Sequence, residues 1–300
     1  MGERNDTDRL IRGTALEGRV RCFALDATGV VAELQRRHGT FPAVTAALGR
    51  TAMGALLLAA AALKEEEQLL TVEVRGDGEA GRILCTANGG GALRGFVANP
   101  RADAASLRPG KLNVAGVVGS SGYLSVTKEL GLREPYRGTV ELQSGEIGED
   151  LAFYLARSEQ IPSAVGIGVF VRPDGSAEAA GGYLLQLLGG IAEDEVASLE
   201  QRLESLPHPT ALIREGTAPE EMLGMIFPEG YELQGQQPVA FRCPCSRERF
   251  ESAIVSLGSE EVSKIIAEGS DDPIEVICHF CNEVYYYTID QMEDILRAAS

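Results

Sequence analysis

Cys243-Pro244-Cys245 and Cys278-His279-Phe280-Cys281, separated by 32 residues, decide how this chain is read. Two tight pairs of cysteines can deliver four thiolates to one point, which is the donor set of a closed tetrahedral zinc site. Cys243, Cys245, Cys278 and Cys281 are therefore expected to bind one Zn2+ per chain. His279 lies inside the second pair, but four thiolates already complete the shell. Thiolates are also the form of cysteine that oxidants attack. A sulfenic acid on any of them has its neighbour close by in sequence, so the expected disulfides are Cys243–Cys245 and Cys278–Cys281. A Cys-X-Cys ring is small and strained, which favours a labile bond. Spacing alone leaves two uses open: a permanent structural zinc, the commoner one, and a redox switch.

The surroundings of the cysteines read as a small module over residues 238–300. Val239 to Arg242 leads into the first pair, and a helix is expected from Arg247 to Leu257. Ser259 caps a second helix, with Glu260 and Glu261 in its first turn. Ile274 to Ile277 and Val284 to Tyr287 flank the second pair as strands. Thr288 and Gln291 form a capping box that opens a final helix. A module of this size has a marginal core. Bound zinc supplies on the order of 10–16 kcal/mol of folding energy in comparable small sites. Losing the metal should therefore unfold the module.

Residues 190–237 read as a helical linker. Val196, Leu199, Leu203 and Leu206 recur at helical spacing, and Pro207 and Pro209 are expected to stop that helix. A second helix is expected from Thr217, with Thr217 and Glu220 as its capping box. Met222, Leu223, Met225, Ile226 and Phe227 give it a broad apolar face, and Gly235-Gln236-Gln237-Pro238 reads as a tether. These helices have apolar faces but few means of burying them alone.

Residues 1–189 alternate strand and helix signals, with strands such as Leu70 to Arg75 and Arg82 to Ala87 joined by glycine-rich turns. Hairpin-linked strands with interspersed helices indicate an α+β fold rather than a doubly wound sheet. Gly76-X-Gly78-X-X-Gly81 matches a dinucleotide fingerprint by letter, but a strand and not a helix follows it. It reads as a hairpin turn. Cys22 and Cys85 fall within strands and read as small buried hydrophobes. The apolar run Thr51 to Leu63 is too short to span a bilayer, which takes about 20 residues.

Of the 44 acids, 22 lie in residues 191–300 beside 7 of the 27 bases, so that third carries −15 of the net −17. Nucleic acid is not an expected partner, because phosphate neutralisation needs clustered Lys and Arg. Met1 to Asp6 shows no apolar leader, so a cytoplasmic, reducing compartment is expected, with no membrane partner. The three histidines, His38, His208 and His279, join no nucleophile–base constellation, and no catalytic residue is assigned.

At these residues the chain resembles the redox-regulated bacterial chaperones of the heat shock protein 33 (33 kDa chaperonin) family. The resemblance is carried by Arg36-Arg37-His38 with Ala46 to Arg50, the Leu70–Gly81 hairpin and Val126-Thr127-Lys128-Glu129-Leu130-Gly131-Leu132. Ser144-Gly145-Glu146-Ile147, Ser158-Glu159-Gln160-Ile161-Pro162-Ser163, Ala180-Gly181-Gly182 with Gln186, and both cysteine motifs extend it over almost the whole chain. Pro244 stands where many members carry Asp. The resemblance implies an N-terminal dimerisation domain, a linker, and a zinc domain that is inactive when reduced. It implies that oxidants release the zinc, form the two disulfides and unfold module and linker, giving a homodimeric holdase for unfolded client proteins. Leu199, Leu203, Leu206, Met222, Leu223, Ile226 and Phe227 are the candidate client-binding surface. The rival reading is a constitutive zinc-module scaffold or regulator without switching.

Overall fold

The computed structural model describes residues 8–106, 111–268 and 273–299. The expectation placed on Met1 to Asp6 lies outside them. Strands β1 (Arg9–Ala15) and β2 (Val20–Asp26) form an antiparallel hairpin. Leu16 and Glu17 both take positive φ in its turn, the hand of turn that matches strand twist. Helices α1 (Thr28–His38) and α2 (Pro42–Ala62) follow, then the meander β3 (Leu69–Gly76), β4 (Arg82–Asn88) and β5 (Ala92–Val97). Next come α3 (Val114–Val118), β6 (Gly122–Glu129), β7 (Tyr136–Glu141) and α4 (Gly148–Tyr154), which runs on into a π-helical turn at Leu155–Glu159. A hairpin of β8 (Ser163–Val171) and β9 (Ala177–Leu187) precedes α5 (Glu193–Ser205), α6 (Pro209–Arg214) and α7 (Pro219–Ile226). Strands β10 (Tyr231–Pro238) and β11 (Ala240–Phe241) end a first compact unit at Arg242. The second unit, from Cys243, holds α8 (Arg247–Ser256), α9 (Ser259–Glu268), the hairpin β12 (Ile274–Ile277) and β13 (Val284–Tyr287), and α10 (Ile289–Ala299). The chain is α+β.

The first unit has two sheets, ordered β10-β1-β2-β9-β8 and β11-β5-β4-β3-β6-β7. Helix α2 packs on both, touching β3, β4 and β5 of one and β2, β8 and β9 of the other. Its 21 residues include 17 buried ones, most of them Ala, Gly or Leu. Small side chains on every face let two sheets approach one helix. By length and composition α2 could cross a membrane, so the shorter run Thr51 to Leu63 understated it. Its apolar character is accounted for by burial, which takes in 94% of the window tested.

Strand β2 shows how the five-stranded sheet is used. Phe23 and Leu25 face the α2 core, whereas Val20, Cys22 and Ala24 join a second core on the opposite face. Helices α6 and α7 cover that second face, with α6 against β8 and β9 and α7 against β1 and β2. Leu199, Leu212, Ile213, Met222, Leu223, Ile226 and Phe227 are all buried there. Residues 190–237 thus bury their apolar faces against a sheet, in keeping with helices that have few means of burying them alone. Each fully buried large apolar side chain contributes about 1.5–3 kcal/mol.

Local details differ from the sequence reading for identifiable reasons. Pro209 opens α6 at a position where its missing N–H costs nothing, so it starts a helix as well as ending one. The N-terminal box of α7 is Ala218 with Glu221, whose Oε2 accepts from the Ala218 N–H at 2.9 Å, one residue beyond the expected pair. Glu220 is diverted to a two-pronged ion pair with Arg9 of β1, at 3.2 and 2.8 Å. Gly235 to Pro238 is no tether: it completes β10, which pairs with the open edge of β1. Helix α1 and strand β1 were not foreseen, although Val30, Val31 and Leu34 carry helical spacing. Gly76 to Gly81 joins antiparallel strands, as expected of a hairpin turn.

Gly181 sets how closely α6 approaches. A Cβ there would lie 2.2 Å from Ile213 Cδ1 and 2.3 Å from the Leu25 carbonyl oxygen. Gly181→Ala should lower the stability of the first unit by about 1–3 kcal/mol in urea denaturation. An unchanged midpoint would contradict this packing.

Candidate metal centre

Two local structures present the cysteines. Cys278 and Cys281 lie in the β12–β13 turn, closed by hydrogen bonds from the Cys278 N–H to the Glu283 carbonyl (2.9 Å) and from the Asn282 N–H to the Cys278 carbonyl (2.7 Å). Asn282 takes the left-handed φ of 57° that this knuckle needs, a conformation asparagine tolerates. Cys243 and Cys245 lie in the irregular chain just before α8. Ser246 caps that helix by accepting from the Arg249 N–H at 3.3 Å, and Arg249 Nη1 donates back to the Pro244 carbonyl at 2.8 Å. Pro244 is thus held through its carbonyl, and the N–H that proline lacks is not called upon.

The four Sγ atoms lie within 4.8 Å of one another, the Cys278 and Cys281 side chains buried and the other two partly so. Cys243 is 3.7 Å from Cys278 and Cys245 is 3.3 Å from Cys281. Zn–S bonds of about 2.3 Å in a tetrahedron place sulfurs about 3.8 Å apart. The donor set and its spacing therefore fit a closed four-thiolate metal site. Both of these contacts join one knuckle to the other, so proximity does not by itself select disulfides within the pairs.

Protonation is uneven across the cluster. Burial pushes the Cys243 and Cys281 thiols up. At Cys245 burial also pushes up, but hydrogen bonds from Tyr285 and the other thiols outweigh it and hold the group below its ordinary value. Tyr285 Oη donates to Cys245 Sγ at 3.4 Å, and its ring lies 5.0 Å from that of Phe250. Sequence reading missed Tyr285, although its place four residues after Cys281 on a strand returning from the knuckle was a usable signal.

The supporting core is small: Ile254, Val262, Tyr287, Met292 and Ile295 are its buried members. Arg247 binds it together, its guanidinium 4.3 Å over the Tyr287 ring while the Tyr287 hydroxyl donates to the Arg247 carbonyl at 3.1 Å. The expected box at α10 is present, Thr288 N–H to Gln291 Oε1 at 3.0 Å and Gln291 N–H to Thr288 Oγ1 at 3.3 Å.

The remaining cysteines are remote in character. Cys22 and Cys85 are buried in the first unit, as expected of small hydrophobes. Burial pushes Cys22 up to about 12 and raises Cys85 as well. Of the candidate client-binding residues, Leu199, Met222, Leu223, Ile226 and Phe227 are buried in the second core, and Leu203 and Leu206 pack partly buried at its margin. In this state none forms an open apolar surface.

A sequence profile described as Hsp33 protein matches residues 8–288. The 33 kDa chaperonin of Bacillus subtilis is 45% identical over 288 residues, covering 96% of this chain and 98% of that protein. That of Shouchella clausii is 44% identical over 293 residues, with 97% and 98% covered. The crystal structure of the 33 kDa chaperonin (heat shock protein 33 homolog) from Thermotoga maritima superposes with a TM-score of 0.88 at 33% identity, over 98% of this chain and 99% of that one.

Iodoacetamide labelling at pH 8 checks the contrast between the thiols. With zinc bound, all six cysteines should resist. A chelator should open Cys243, Cys245, Cys278 and Cys281 to alkylation while Cys85 stays unmodified until denaturant is added. Labelling of Cys85 together with the other four, read by peptide mass spectrometry, would contradict its burial.

Proposed function

The chain belongs to the Hsp33 family, and from that premise we propose that it is a redox-regulated holdase, inactive with zinc bound and activated by oxidation. The observation that carries the reading is the convergence of four thiols within 4.8 Å in a module with little other core. Cys243, Cys245, Cys278 and Cys281 are the ligands, and zinc, when bound, holds all four as thiolates and supplies the module's missing folding energy.

Peroxide transfers one oxygen to a thiolate, giving a sulfenic acid, and its other oxygen leaves as hydroxide. The partner thiolate then attacks that sulfur, forming the S–S bond and expelling hydroxide, which takes a proton from solvent to become water. Two peroxides thus make two disulfides, and all four ligands are lost. Pairing within each knuckle, Cys243–Cys245 and Cys278–Cys281, follows the family and leaves the two knuckles free to separate. A bond across the knuckles would tie α8 to the β12–β13 hairpin and preserve the module. Non-reduced peptide mapping after oxidation should find the within-knuckle bonds.

The client surface, on this reading, is what α5–α7 hide. Release of residues 190–237 bares Leu199, Leu203, Leu206, Met222, Leu223, Ile226 and Phe227, together with the sheet face beneath. Unfolding proteins bind there, and the active form is a homodimer; the cytoplasm, reducing outside oxidative stress, keeps the thiols ready for zinc. The acidic excess of residues 191–300 keeps the released segment soluble.

Two experiments test the proposal. Zinc-loaded protein treated with peroxide at raised temperature should lose its metal, suppress aggregation of a denatured client, and make Cys22, beneath the linker helices, reactive to N-ethylmaleimide. Zinc loss without a gain in anti-aggregation activity would leave the constitutive scaffold as the better reading. Cys278→Ser should weaken zinc binding by roughly a hundredfold or more and render residues 243–300 protease-sensitive. Full metal content and unchanged resistance would overturn the four-ligand assignment.

A further inference from the structure

Three of the motifs that carry the family resemblance take no part in the cysteine centre. They are Val126-Thr127-Lys128, Ser158-Glu159-Gln160-Ile161, and Gly181-Gly182 with Gln186. The fold brings one or more residues of each to the wall of a single cavity of about 230 Å3 in the first unit, beside the C-terminal end of α2. That volume equals roughly seven or eight water molecules at about 30 Å3 each, and it is below the roughly 300–1,000 Å3 of pockets for drug-sized ligands.

Its polar groups are not balanced. Lys128 Nζ donates to both Glu159 oxygens at 2.7 Å, and the Tyr154 hydroxyl donates to the same carboxylate. Glu159 is thereby fully engaged and Lys128 neutralised. Arg21 forms no ion pair among the described residues; its Nη2 donates to the Ala61 carbonyl at 2.7 Å, leaving further N–H groups and a full charge. Directly across the β2–β9 ladder from Arg21 stands Gln186. Gln186 is 3% exposed, and its Oε1 has no hydrogen-bond partner among the described residues. A buried acceptor without a donor costs about 1–3 kcal/mol. Leu58 and Val126 supply an aliphatic wall beside this pair.

We propose that this cavity binds a small organic carboxylate that carries a hydroxyl or ammonium group on the adjacent carbon and a short branched aliphatic body. The carboxylate pairs with Arg21, the adjacent O–H or N–H donates to Gln186 Oε1, and the aliphatic body lies against Leu58 and Val126. The site is independent of the thiol chemistry.

Calorimetry on the full-length, reduced, zinc-loaded protein tests this with 2-hydroxy-4-methylpentanoate and leucine as probes. Saturable one-to-one binding of at least one of them is expected. 4-Methylpentanoate, which lacks the donor, and 4-methylpentane-1,2-diol, which lacks the carboxylate, should each bind about tenfold more weakly or worse. Arg21→Gln and Gln186→Leu should reduce probe binding by a similar factor, with folding checked by circular dichroism. Should either variant fail to fold, the Arg21 side-chain 15N resonance of the unaltered protein must shift as the probe is added. Absence of saturable binding by both probes, equal binding of the controls, or an unmoved Arg21 resonance would mean that the cavity holds solvent alone, and would overturn the proposal.

Discussion

A β-sheet that is apolar on both faces must be covered on both, and the first unit is built around that requirement. In β2, Phe23 and Leu25 point to one side and Cys22 and Ala24 to the other. One cover is α2, buried between two sheets. The other is a set of three shorter helices, α5–α7. Their visible ion-pair ties, Arg19–Glu195, Arg9–Glu220 and Arg214–Glu178, are part-exposed. Such pairs contribute about 0.2–1 kcal/mol each, against about 1.5–3 kcal/mol for each buried apolar side chain. The cover is therefore held by the same hydrophobic contacts that it conceals. Detaching it would create two sticky surfaces at once, one on the helices and one on the sheet.

The second unit is stabilised differently. Among the described residues of the second unit, five buried side chains form its apolar core, which is thin, and the cysteine cluster is an electrostatic problem without a cation. Four sulfurs within 4.8 Å cannot all be charged together unless something positive sits among them. With a metal the repulsion becomes coordination. With oxidised sulfurs the charge disappears, and so does the reason for the knuckles to meet. On the proposed function, a fold whose stability depends on the charge state of four atoms would respond to oxidants in a way that a large hydrophobic core would not.

The cysteine motifs and the capping box Thr288–Gln291 were legible because each is a local pattern with one geometric solution. The β-hairpins around Gly76 to Gly81 were legible for the same reason. What sequence reading missed depends on partners distant along the chain. Gly235, Gln236 and Gln237 have little strand propensity, and they are extended because β1 presents an open edge to them. Glu220 satisfies a capping pattern but is claimed by Arg9, 211 residues away. Tyr285 was read as a strand residue, and only the folded hairpin shows its hydroxyl on Cys245. The pairing of Arg21 with Gln186 likewise exists only in the sheet register.

Helix α2 has a consequence for how the protein comes apart. Because both sheets bury the same helix, melting either one would strand a helix that is apolar on every side. The two sheets and α2 are thus bound into one cooperative block. Helices α6 and α7 make their main contacts with the outer face of one sheet, so peeling them away would leave α2 between its two sheets. Partial unfolding therefore has a natural stopping point, at which the peripheral layer is gone and the central block remains. On the proposed function, a loss of structure confined to that layer would leave a folded template on which the lost part could reassemble.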